Sequence, residues 1–444
     1  IEKDAFKHKG KEYQFEVCDS LFPKHFIELI EPPPTYVGLK QLFDTNAEIT
    51  KLRPAFGRKI EDDLRVFPRR IDKKNDLPTT LTGKGTRAAN KEDLYPKNLT
   101  GSLEEAVYCF ILAVAIRKTR SRELRETPFH QPHNTMLIHV SRFINWQTRT
   151  KDLLSKFIDQ ISERLSNEPL NRDGGIYGTL EKQFDLSFAT SLTMGIDEYL
   201  PENYVDEYMS VVSFDKIRPL LAATVAEIEC VALNSFTKDS LEYKEENPKT
   251  YIAIGGNRLA RGFTLEGLTV CYFIRDTNFA DTLLQMGRWF GYRMGYLDCC
   301  KLFFTDDAID KFDSISRTVE DLESTIEDLS KDPTSTPETY ALKVASNPGV
   351  IKLTRSSILK NTDERKVSFD DHLEQTYKFS VDDKSLESAY LSVSKLISGE
   401  SSNFKWEERN SMMVYRGANS RFVKQLLECE SSFARTNIQE ILRY

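Results

Sequence analysis

The chain has no apolar run of the roughly 18 residues needed to cross a bilayer, and no secretory leader pattern. Its seven cysteines include no Cys-x-x-Cys pair, which excludes the usual zinc and redox spacings and argues for reduced thiols in a cytosol. The adjacent Cys299 and Cys300 fall in a predicted strand and read as packing. No GxxxxGK[ST] loop is present: Gly83-Lys84-Gly85-Thr86 lacks both the spacing and a preceding strand. No acidic box precedes the glycine-rich block described below. Asp370-Asp371-His372 lies after that block and reads as a loop. Metal readings are thin. His130, His133 and His139 have no Cys or carboxylate neighbours, and Glu242-Tyr243-Lys244 is the nearest fragment to a nuclease motif.

At 444 residues, 40% hydrophobic and 29% charged, the chain suits a soluble globular protein of two or three domains. Net charge is −7, but unevenly spread. Residues 51–97 hold 13 Lys and Arg against 7 Asp and Glu, and Arg117, Lys118, Arg120, Arg122 and Arg125 form a second basic cluster. Residues 306–332 carry ten acidic side chains. Basic patches on an acidic protein fit a localised nucleic-acid track, or plain solvated faces. The chain opens on Ile1 in mid-pattern and is expected to be a fragment.

Residues 1–97, rich in Pro and charge, read as the tail of a preceding lobe and a connector. Periodicity predicts a helix over 102–118, with Ser102 as N-cap and Glu105 completing a capping box. A strand at 136–140 and a helix at 150–166 follow. Residues 167–212 read as a polar insert. A helix at 214–226 then leads to strands at 228–233, 251–254 and 268–274, a helix at 281–290 and a strand at 301–304. Five strands separated by helices predict a parallel sheet with right-handed crossovers, an α/β RecA-like lobe over 98–306. Residues 307–444 are expected to form a mixed, helix-rich extension. It includes an amphipathic helix at 308–329 that packs on the lobe or serves a partner, and helices near 384–398 and 418–430.

The chemistry concentrates in residues 251–304. Gly255-Gly256 ends a strand, where open α/β sheets bind ligands, and two glycines allow close backbone approach. Asn257, Arg258, Arg261, Gly262, Thr264 and Glu266 follow on the same turn, which can offer N–H groups to phosphate or can be a plain strand-to-helix turn. Gln285, Arg288 and Arg293 lie on the next helix and its exit, within reach of a γ-phosphate held by another lobe. Ser141 and Arg142, after the 136–140 strand, are candidates for nucleic-acid backbone contact.

GGNRLARGFTLEGLTVCYFIRD (255–276) and DTLLQMGRWFGYRMGYLDCCKLFF (281–304) resemble the Z-one domain family, described as a putative endonuclease and found in helicase-like proteins. DSLFPKHFIELIEPPPTYVG at 19–38, GSLEEAVYCFILAVAIRK at 101–118, MLIHVSRF at 136–143 and the segment 347–372 extend the resemblance over most of the chain. The resemblance implies a superfamily-two helicase-type ATPase, with motif V over Gly255–Gly267 and motif VI over Gln285–Arg293. Arg288 or Arg293 is then the arginine finger, and Thr264 stands where the family type of motif carries aspartate. It further implies ATP and magnesium as cofactors, a P-loop lobe outside this chain, DNA as partner, and defence or restriction neighbours such as MORC-type ATPases and nucleases. A metal-dependent endonuclease and a non-catalytic scaffold are the alternative functions.

Overall fold

A computed structural model describes residues 3–8, 11–16, 27–30, 32, 36–43, 57–60, 70–72, 78–79, 86–88, 95–141, 143–170, 174–189, 206–234, 240–256, 264–275, 277, 279–288, 291–331, 383–400, 405–409, 412–416 and 422. The chain forms two compact units, residues 1–359 and 360–444. The second contains a helix over Asp383–Glu400 and an antiparallel hairpin of Lys405–Arg409 with Met412–Arg416. The predicted 418–430 helix falls almost wholly outside the described residues.

The first unit is built on a parallel sheet, so the expected α/β lobe with a RecA-like parallel sheet is the fold observed. Its strands are β1 (Gly57–Lys59), β2 (Asn134–His139), β3 (Ile228–Leu233), β4 (Thr250–Gly255), β5 (Leu268–Phe273) and β6 (Lys301–Phe304), in the spatial order β1-β6-β5-β2-β4-β3. Every pairing is parallel. Five are the strands expected from sequence. The sixth, β1, comes from residues expected to be connector, and it adds an edge by pairing Leu302 with Gly57.

β2, β4 and β5 are buried along their full length and read as continuous apolar runs, as strands covered on both faces must. On one face lie α1 (Gly101–Leu124), α2 (Ile144–Asn167) and α3 (Gly175–Phe188). Thr100, rather than Ser102, caps α1, its Oγ1 accepting from the Leu103 N–H at 3.2 Å. Fourteen of the 24 residues of α1 are buried, including the unbroken run Cys109 to Arg117, because other helices cover what the sheet does not. α2 is one-sided: Trp146, Thr150, Leu154, Ile158, Ile161 and Leu165 recur at helical spacing and face the core.

α3 lies in the segment expected to be a polar insert. Ile176, Tyr177, Leu180, Phe184 and Phe188 are core residues. The periodicity is masked in sequence because Gln183 and Ser187 are buried on the same face, paired Nε2 to Oγ at 2.8 Å, while Leu186 is exposed.

The opposite face carries the short helix Leu39–Phe43, α4 (Ala280–Met286) and α5 (Asp306–Lys331). Phe43 stacks on Phe312 of α5, centroids 4.6 Å apart. α5 therefore packs on this unit through Ala308, Phe312 and Ile315. α4 stops at Met286, four residues before the expected end, because Gly287 caps it and its N–H bonds to the Leu284 carbonyl.

Candidate functional site

Register decides what meets at the carboxyl end of the sheet. Ile138 stands opposite Ile254, and His139 opposite Phe273, so His139, the last residue of β2, lies between the ends of β4 and β5. His139 is fully buried and its ring meets Phe273 edge to face at 5.5 Å. Among the described residues neither imidazole nitrogen has a hydrogen-bond partner of proper geometry. Burial holds its pKa down at about 3, and the positive charges of Arg275 and Arg288 push the same way against the backbone of Gly255. The imidazole is held neutral, and the charges of Arg275 and Arg288 are near enough to act on it.

Gly256 follows directly on β4. A Cβ added there would stand 2.8 Å from Gln147 Nε2, 3.2 Å from the Ser141 carbonyl oxygen and 3.3 Å from Arg275 Nη1. The glycine is thus required by close approach, since its backbone angle φ is unexceptional. Gln147, reaching over from α2, is 2% exposed and donates from Nε2 to the Ser141 carbonyl at 2.9 Å. Its Oε1 is buried with no partner among the described residues. Ser141 Oγ accepts from the Phe143 N–H at 3.1 Å, closing the turn into α2.

Gly255, Gly256 and Ser141 therefore meet at the rim, as the sequence suggests, and Arg288 is near enough for its charge to act on His139. His139, Gln147 and Arg275 join them without having been singled out as site residues. Arg275 had one available signal, a cation two residues after an all-buried strand.

The other candidates separate. Arg293 lies at the opposite, amino end of the sheet. Its guanidinium is 5.9 Å from the Tyr296 ring centroid and close enough to act on Arg117 and Cys300. Glu266 is at that end too. Its carbonyl accepts from Thr135 Oγ1 at 2.7 Å, and its carboxylate is 3.8 Å from His133 Nε2. Thr264 is exposed, and Gln285 is half-buried on α4. Arg142, Asn257, Arg258, Arg261 and Gly262 lie outside the described residues.

A family profile described as the Z1 domain matches residues 102–351, more than half of the chain. The chain belongs to the Z1 domain family. No curated protein and no solved structure matches it.

In this Z1 domain the second basic cluster is not a surface track. Arg117 is buried, donating to the His133 carbonyl at 2.9 Å, the Gln131 carbonyl at 2.8 Å and Asn134 Oδ1, with its guanidinium 4.3 Å from the Tyr296 ring centroid. Arg120 is buried in a fork with Asp298, both contacts at 2.7 Å. Lys118 bonds Glu227, and only Arg122 and Arg125 of the five are exposed. Buried cations at regular helical spacing look the same in sequence as a basic stripe, which is why the cluster misleads.

His133 and His139 lie at opposite ends of one strand, and no group of three or more metal-ligating side chains occurs among the described residues. In the nuclease-like fragment, Tyr243 packs on the sheet, its hydroxyl 2.9 Å from Thr135 Oγ1, and Lys244 and Glu242 form an exposed pair with each other. No helix among the described residues is long and apolar enough to cross a membrane.

Proposed function

We propose that this Z1 domain is the second motor lobe of an ATP-dependent, helicase-like DNA translocase, working in the cytoplasm in anti-phage defence or restriction. The observation that carries the reading is the rim where β2, β4 and β5 end: Gly255-Gly256 closely packed, with Arg288 near enough for its charge to act on His139. Ligands of open α/β sheets bind at the carboxyl ends of strands, near points where the connection changes direction. Here β2 leads on to β3 on one side of the sheet and β5 to β6 on the other.

ATP would supply a phosphoanhydride bond whose hydrolysis drives movement. The residues present fit one side of such a nucleotide. Gly255 and Gly256 bring the backbone close, and Arg288 supplies positive charge for the terminal phosphate. His139 stays uncharged and so adds no further positive charge at this end of the sheet. Magnesium would arrive with the nucleotide, bound between it and a P-loop lobe. Ser141 and the turn after Gly256 would pass nucleotide state to a DNA backbone, bound with strong salt dependence and little sequence preference. Defence proteins such as a MORC-type ATPase or a nuclease are the proposed partners.

The test is DNA-stimulated ATP hydrolysis by the full-length protein, wild type beside Arg288→Ala. Stimulated turnover that collapses in the variant supports the reading. A wild type that hydrolyses no ATP with any nucleic acid overturns it.

A further inference from the structure

His133 stands immediately before β2, where the amino ends of three strands meet. The residue is buried, and its carbonyl accepts from Arg117 of α1 at 2.9 Å. The backbone N–H of Lys249, immediately before β4, donates to His133 Nδ1 at 3.1 Å. A backbone N–H can only donate, so Nδ1 carries the lone pair and the neutral ring keeps its proton on Nε2. Nε2 lies 3.8 Å from the carboxylate of Glu266, two residues before β5. One imidazole therefore links β2 to the approaches of both its neighbours. The loop 240–249 is also held by Tyr243. Its ring meets His133 edge to face at 5.0 Å, and its hydroxyl is 2.9 Å from Thr135 Oγ1.

We propose that His133 is an acid-released clasp: its neutral Nδ1 holds Lys249 and the 240–249 loop against the amino end of the sheet, and a proton on Nδ1 frees that loop. An imidazolium carries N–H groups at both nitrogens, so Nδ1 would then set a donor against the Lys249 donor, and the bond is lost. The other charges around the ring do not restore it. Glu266 attracts the imidazolium at Nε2 and Glu245 adds to the pull, while Arg117 repels it. The ammonium of Lys249 is engaged elsewhere, 3.5 Å from Glu229 of β3. Burial holds the pKa of His133 below its ordinary 6.5, so the clasp is closed at neutral pH and opens in acid. Opening is local. The Asn134 N–H donates to the Lys249 carbonyl at 2.9 Å without involving the imidazole, so β2 and β4 stay paired while the loop loosens. The clasp lies at the opposite end of the sheet from the rim and does not depend on what binds there.

The test is nuclear magnetic resonance of the full chain labelled with ¹⁵N at lysine and histidine, wild type beside His133→Asn. The imidazole nitrogen shifts of His133 report which nitrogen is protonated, and at pH 7.5 the proton should be on Nε2. Water exchange of the Lys249 amide, referred to its intrinsic rate, is compared on the two sides of the pH at which Nδ1 gains its proton. It should speed up about tenfold in wild type, the loss of one hydrogen bond. Asn offers an amide oxygen near the place of Nδ1 that stays an acceptor in acid, so exchange in His133→Asn should change less than about twofold over the same interval. A proton on Nδ1 at pH 7.5 overturns the proposal, and that reading needs only wild type should His133→Asn fail to fold. A ring that stays unprotonated down to pH 4.0 in the folded chain overturns it too, as does an equal rise in exchange in wild type and His133→Asn.

Discussion

Arg288 and Arg293 are five residues apart in sequence and act at opposite ends of the parallel sheet. Arg288 reaches the carboxyl end, where its charge is felt by His139. Arg293 reaches the amino end, beside Arg117 and Tyr296. Gly291, at φ 136°, lies between them, and Gly291-Tyr292 pairs with Tyr36-Val37.

This separation ranks the two arginines. In the full-length protein Arg288→Ala should lower DNA-stimulated ATP turnover by about 10³-fold or more, the range of an arginine finger. Arg293→Ala should lower it less than about tenfold and should act mainly on stability, by removing a cation from the Tyr296 ring, worth about 0.5–1 kcal/mol. Steady-state rates at saturating ATP and DNA, beside denaturant melts, distinguish the two. Equal rate losses in both variants would count against the assignment.

Two glycines should respond differently to alanine. Gly267 has φ +61°, and a Cβ there would come within 1.8 Å of the His133 carbonyl oxygen, a rigid backbone atom between β2 and β5. Gly267→Ala should cost about 3–5 kcal/mol or prevent folding. At Gly256 the nearest atom is the end of the Gln147 side chain, at 2.8 Å, and φ is not positive. Gly256→Ala should cost only about 1–2 kcal/mol, because the end of the Gln147 side chain can give way to the methyl. Circular dichroism melts on the two variants check both halves.

Much of the lobe was legible because buried parallel strands write themselves as apolar runs: the limits of β3 and β6 agree with those read from sequence, and those of β2, β4 and β5 differ by at most two residues. What failed to show involved buried polar groups. Gln183 and Ser187 hid the core face of α3, and Arg117 and Arg120 passed for a basic surface. The rim shows the same limit. Gly255 and Arg288 carry a motif, but Gln147 and Arg275 reach the site only through tertiary register, which no local spacing encodes.

Arg120 and Asp298 form the most enclosed ion pair described, 1% and 4% exposed at the side chains. Arg120 also donates to the Gly295 and Ser210 carbonyls at 3.0 Å, tying α1 to the segment before β6. Arg120→Ala leaves a buried carboxylate without its counter-ion and should cost about 3–5 kcal/mol. Arg120→Met with Asp298→Leu removes both charges and should be more stable than Arg120→Ala alone. A double-mutant cycle read by urea unfolding tests this; a double variant less stable than the single would show that the hydrogen bonds, not the charges, dominate.

His139 makes the lobe sensitive to acid, and the direction follows from its environment. Its folded pKa is depressed to about 3, by burial first and by Arg275 and Arg288 next, against an ordinary value of 6.5. Between those values the unfolded chain binds a proton that the folded chain refuses, so stability is full above pH 6.5 and falls as the pH drops toward 3. Relative to pH 7.5, this one residue should remove about 2 kcal/mol by pH 5.0. His133, also shifted down by burial despite Glu266, adds loss of the same sign. Urea melts at both pH values, on wild type and His139→Leu, isolate the contribution of His139. The variant should lose about 2 kcal/mol less than wild type over that interval, and equal losses would mean that His139 is protonated in the folded state despite the charges of Arg275 and Arg288.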